Sequence, residues 1–159
     1  MTRARGETGD TARTMTEEST TPDLEEAVRR ALEAFNRRDF DAALSLYTPD
    51  VVIESAPGGI GVLEGGRVMG REAARKSWED LTESFENVEF DSEDFHDLGS
   101  GVTFGVLVQR SRPHGSDAFV EARGWVVSIW RDGRIARSTS YKDVDEARAA
   151  AERLAEERG

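Results

Sequence analysis

The spacing of apolar residues changes character partway along this chain, and that change limits the folds open to it. Apart from the run VVIES and the glycine-rich stretch that follows it, the apolar residues from Leu24 to Phe85 fall into three stripes at helical spacing. From Val88 to Tyr141 they lie in extended runs separated by glycine-containing turns. Leu24, Ala27, Val28, Ala31, Leu32 and Phe35 make the first helical stripe, which predicts a helix ending near Asn36. Thr21 supplies its cap, Pro22 suits the first helical position, and Asp23, Glu25 and Glu26 favour the positive end of its dipole. A second, short helix is expected after Asp39, with Phe40, Ala43, Leu44 and Tyr47 on one face, broken by Pro49-Asp50. Val51 to Ser55 is β-branched and reads as a strand. A third helix, about Arg71 to Phe85, turns Ala74, Trp78, Leu81 and Phe85 inward.

Beyond it the expected strands are Val88 to Asp97, Val102 to Arg112, Phe119 to Trp130 and Arg134 to Tyr141. The segment from Val144 returns to helix with a thin stripe of Val144, Ala147, Ala151 and Leu154, which places it across the surface. Helices followed by a strand meander predict an α+β fold, with the N-terminal helices packed into one face of an antiparallel sheet. The chain has 159 residues, enough for one domain with one core. Residues 1–20 hold almost no large apolar side chain and are expected to be a disordered tail. Residues 21–143 form the domain, and residues 144–159 are a helix belonging to it.

Composition excludes several function classes. With 32 acidic against 21 basic residues and a formal charge of −11, the chain repels phosphate backbones and anionic membranes, so neither nucleic acid nor a membrane is expected as partner. The absence of cysteine excludes disulfides, thiolate metal sites and a cysteine nucleophile. No apolar run is long enough for a bilayer, and the N-terminus lacks a signal-type apolar core, which points to the cytoplasm. His96 and His114 lack metal-ligand spacing and are read as solvated, so no metal or cofactor is expected. The glycine-rich loop Ala56 to Gly66 lacks the features of a phosphate loop and is read as a mobile connection or a lid.

The runs AFNRRDFDAALSLYTPDVVIES and VMGREAARKSW, and the hairpin WRDGRI leading into SYKDVDEARAA, resemble the SnoaL-like branch of the nuclear transport factor 2-like superfamily over about Leu24 to Leu154. The resemblance implies a strongly curved sheet wrapped around a cone-shaped cavity. It does not imply a reaction, because the superfamily holds isomerases, hydrolases, cyclases and non-catalytic modules. Positions that carry acid-base groups in those enzymes correspond here to Ser55, Ala31 and Val126, to Ile53 and an apolar stretch around Phe104 to Val108, and to Ser140. None of these supplies a carboxylate.

Alternation along Phe119 to Trp130 puts Val120, Ala122, Gly124, Val126, Ser128 and Trp130 on one face and Glu121, Arg123, Trp125, Val127 and Ile129 on the other. The resemblance turns the first set inward, along with Ala136, Ser138 and Ser140, and leaves Ile135, Arg137, Thr139 and Tyr141 outside. The candidate ligand-contacting residues are therefore Ser55, Ile53, Trp78, Val126, Ser138 and Ser140, with Arg110 at the pocket mouth. The expected ligand is a small, mostly apolar molecule. In an alternative reading a one-residue bulge brings Glu121 and Arg123 inward as the charged pair of an enzyme. In a third, the cone is filled by its own side chains and the protein is a dimerisation module. The apolar outer face, Trp125, Val127, Ile129 and Tyr141, calls for a cover, and a second copy of the chain is the expected one, giving a homodimer.

Overall fold

A computed structural model describes residues 20–55 and 66–159. The expected tail and glycine-rich loop lie outside these residues, save for Thr20 and Gly66 at their ends, and the roles expected of Thr21 and Pro22 fall outside the described side chains. Helix α1 spans Thr20–Asn36 and α2 Phe40–Leu44; strand β1 spans Tyr47–Ser55 and β2 Arg67–Met69. Then come α3 (Arg71–Ser84), β3 (Asn87–Gly99), β4 (Val102–Arg112), β5 (Val120–Arg131), β6 (Arg134–Tyr141) and α4 (Val144–Arg158). Asp39 caps α2 through the Ala42 amide at 3.2 Å, and Asp143 caps α4 through the Asp145 amide at 2.8 Å.

The six strands form one sheet in the order β2-β1-β6-β5-β4-β3. The sequence predicts an antiparallel sheet, and every pairing is antiparallel except β1 with β6, which run parallel. Parallel neighbours need a long crossover, and here α3 and the β3–β5 meander supply it. Tyr47 opens β1 rather than closing α2. Its carbonyl is held by Arg71, whose Nε donates at 2.9 Å, so β1 is tied to the start of α3. The short β2 has no counterpart in the sequence reading and pairs at the free edge of β1. At the other edge Asn36 closes β3 as a backbone would: its side-chain amide donates to the Phe90 carbonyl and accepts from the Phe90 amide, both at 2.9 Å.

Two apolar clusters lie under the helical layer. Ala34, Phe35, Phe40, Ala43, Leu81 and Val88 join α1, α2 and α3 to β3. Ala31, Leu46, Val51, Trp130 and Ile135 join α1 to β1, β5 and β6. A third cluster, Val102, Phe104, Val127, Ala147 and Ala151, lies on the opposite face, where α4 packs on β4 and β5. Val127 is thus covered by the chain's own C-terminal helix, with Trp125 and Tyr141 packed at its edge. The cover expected from a second copy is largely supplied from within the chain. Arg158 docks the end of α4 by donating from Nε to the Ser100 carbonyl at 2.9 Å. The neighbouring Gly101 is at φ +76°, where a Cβ would stand 3.1 Å from the Trp130 carbonyl oxygen, so glycine is needed on both counts.

Candidate functional site

The cone encloses a cavity of about 190 Å³. Its helical side is apolar and aromatic, with Phe35, Leu81 and Trp78 prominent; Trp78 meets Phe35, Phe40 and Tyr47 edge-on at 5.6, 6.0 and 5.7 Å between ring centroids. Its sheet side is built by alternation. Ile53 and Ser55 face in from β1, Ser138 and Ser140 from β6, Val126 and Ser128 from β5, and Thr103 and Gly105 from β4. Six of the seven expected ligand contacts, Ser55, Ile53, Trp78, Val126, Ser138 and Ser140, therefore line one cavity. A cone filled by its own side chains is not what this chain builds.

Arg110 is the exception. It lines a separate polar groove with Glu25, Arg29, Glu33 and Asp91, and its guanidinium lies 5.0 Å from the centre of the exposed Phe119 ring. Glu121 and Arg123 are also outside the cavity. The β4–β5 ladder runs in unbroken register from Val102–Ile129 to Ser111–Val120, so no bulge turns them inward. Both are exposed, and Arg123 pairs instead with Glu93 and with Glu121. A shift does occur elsewhere: Ile129 pairs with Arg137 whereas Trp130 pairs with Ile135. The extra residue on β6 turns Ile135 into the cavity, correcting its expected outward position. A second shift, between Glu93 and His96, accompanies Asp94 at φ +49° and lets Phe95 join Phe90 and Ser92 in the lining.

The polar groups of the cavity differ in what holds them. Ser55 and Ser140, 85 residues apart in sequence, share a buried hydrogen bond of 3.0 Å. Thr103 Oγ1 accepts from the Trp130 indole at 2.8 Å. Glu54 is the one acidic residue of the described lining. Burial pushes its carboxyl up, but hydrogen bonds and charge from Arg137, then Arg67, outweigh this and hold it below the usual carboxylate range. Alternation directs that carboxylate to the far face, where Arg137 Nε donates at 2.9 Å and Arg67 Nε at 3.3 Å. Among the described residues, then, the cavity offers no free carboxylate to act as a general base. The two histidines have partners of their own. His96 stacks on Phe104, and His114 meets the Glu83 carbonyl and the Glu86 carboxylate, which hold it above its ordinary value.

Tyr47, which the sequence pattern puts on a helix face, also lines the cavity. Its hydroxyl has no hydrogen-bond partner among the described residues, and burial pushes the phenol up to about 12. The neutral form is therefore the one the fold favours. Since an unfolded phenol ionises near 10, Tyr47 should lower stability progressively as the pH rises from about 10 toward 12, and not below. Ultraviolet titration of the native protein and of Tyr47→Phe checks this. The phenolate signal lost in the variant should be the one that appears near 12.

The sequence model of the SnoaL-like domain family matches residues 28–138, and the chain belongs to that family. No curated protein matches it in sequence. Among solved structures it is similar to TerC co-crystallized with polyporic acid, at 18% identity over 82% of this chain and 98% of that one, with a TM-score of 0.65. It is also similar to RV0760c from Mycobacterium tuberculosis in complex with estradiol-17beta-hemisuccinate, at 22% identity over 77% and 95%, with a TM-score of 0.62. A computationally designed 17-OHP binder matches at 22% identity over 77% and 92%, with a TM-score of 0.60. At such identities the likeness establishes the fold, the α+β cone that the sequence predicts. Among the described residues no helix is long and apolar enough to cross a membrane.

Proposed function

We propose that this chain binds a small, largely apolar molecule in the cone cavity. The carrying observation is the lining itself: a cavity of about 190 Å³, apolar and aromatic on the helical side, with uncharged hydroxyls on the sheet side. A cavity of this size suits a compact ligand of one or two rings. Structural relatives crystallised with polyporic acid and with an estradiol ester support a cavity that takes ring compounds. An acid-base reaction of the superfamily's kind has less support, since Glu54 is engaged by two arginines and Glu121 and Arg123 lie outside.

Ethylbenzene is a suitable first probe, read by the fluorescence of Trp78 in the cavity wall and by the rise in unfolding midpoint that follows binding to the native state alone. Saturable uptake is expected. Val126→Phe, which places a ring in that space, should weaken it roughly tenfold or more. Uptake unchanged in the variant rules out this cavity.

The setting we propose is cytoplasmic. For assembly, we propose a homodimer. With Val127 under α4, pairing falls to Ile129 and Val52, which flank Arg137 from the adjacent strands. Native mass spectrometry of the gently purified protein reads both subunit count and any retained ligand mass; a bare monomer removes the dimer from the reading.

A further inference from the structure

Resting on the reading of the cavity as a binding site, we infer that the hydroxyls of Ser128 and Ser138 form its polar anchor, and that the site selects a neutral ligand carrying one carbonyl or hydroxyl oxygen over a carboxylate analogue. Ser128 and Ser138 are direct partners across the β5–β6 pair, and both line the cavity. Facing residues in such a pair hold their Cβ atoms about 4.5–5.5 Å apart, close enough for two hydroxyls to converge on one acceptor. Ser128 is 6% exposed, yet neither hydroxyl has a hydrogen-bond partner among the described residues. Neither oxygen is among the sealed, unpartnered polar atoms of the described residues, and the cavity that both residues line is the space available to a partner.

This separates them from Ser55 and Ser140, which hydrogen-bond to each other. A buried hydroxyl without a partner is costly, and in a cavity of this size the partner is water or a ligand oxygen. A hydroxyl both donates and accepts, so the pair suits a carbonyl or an alcohol equally. The unpartnered Tyr47 hydroxyl is a third neutral group on the same wall system. No lysine, arginine or histidine is in the described lining, so an entering carboxylate would lose its water without gaining a counter-charge.

Three compounds of similar size test this: ethylbenzene, acetophenone and benzoate, titrated into the wild-type chain and the Ser128→Ala/Ser138→Ala variant at neutral pH. Wild type should bind acetophenone and show no saturation with benzoate over the same range. The double variant should bind acetophenone roughly three- to tenfold more weakly, the value of one ordinary hydrogen bond, with ethylbenzene bound as tightly or more tightly, since it no longer strips water from two hydroxyls. The ethylbenzene result shows that the variant is folded with its cavity intact, and Ser138→Ala alone carries the comparison if the double variant does not fold. Acetophenone affinity unchanged in a variant that still takes up ethylbenzene overturns the anchor and leaves the cavity reading standing. Benzoate binding as tightly as acetophenone overturns the selection for neutral ligands. Wild type that takes up neither neutral compound overturns both readings.

Discussion

Replacement of Trp130 by alanine is expected to destabilise the fold by about 3–5 kcal/mol, the range for truncating a large buried aromatic. A domain of this kind has a total stability of about 5–15 kcal/mol, so the variant should sit near the edge of folding. Trp130 is 5% exposed and packs with Ala31, Leu46, Val51 and Ile135, which makes it the contact between α1 and three strands. It also joins the sheet to its own rim. Its indole donates to Thr103 at 2.8 Å and its amide to the Gly101 carbonyl at 2.7 Å. Trp130→Phe separates the two roles, since it keeps most of the apolar volume and loses the indole donor. It should cost less than the alanine variant, about 1–3 kcal/mol for leaving the buried Thr103 hydroxyl without its donor. Urea unfolding followed by circular dichroism checks the order, and a Trp130→Ala midpoint equal to wild type would contradict this account of the core.

Much of this arrangement was legible in the sequence because period reports burial directly. The stripes on α1 and α3 and the limits of β4, β5 and β6 follow from it to within a residue or two. The misses have separate physical causes. Tyr47 stands three residues after Leu44, so it continues a helical period although the backbone has already become strand. β2 is three residues long and gives no pattern to read. Alternation turns Ile135 outward because it presumes unbroken register, and the shift between Ile129 and Trp130 reverses its face. In the site, six cavity residues were identified by position, but the division between satisfied and free hydroxyls was not. The Ser55–Ser140 bond joins residues 85 apart, and spacing carries no information about it. The alanines of α4 gave a weak hydrophobic signal, yet Ala147 and Ala151 are fully buried because their small size lets the helix backbone approach the sheet closely.

That close approach gives the second large effect. A chain ending at Asp143 lacks α4 and should lose stability by several kcal/mol and associate with itself. Val102, Phe104 and Val127 are 0%, 4% and 3% exposed in the full chain, and each fully uncovered side chain of this kind forfeits about 1.5–3 kcal/mol. Loss of the Arg158–Ser100 contact also frees the turn between β3 and β4. The uncovered strip continues into Trp125 and Tyr141, so it forms a contiguous apolar patch on a sheet face. A second truncated copy is the nearest surface of matching character, and a two-fold pairing of the strips would bury both. Sedimentation of the full and truncated chains at equal micromolar concentration is the direct comparison. The truncated chain should sediment as a larger species, and Val127→Ser in that background should reverse the association, since it removes the apolar centre of the patch without touching the cavity on the other face. If the truncated chain keeps both the size and the unfolding midpoint of the full one, α4 is not the cover of this face, and the outer-sheet homodimer regains its original footing.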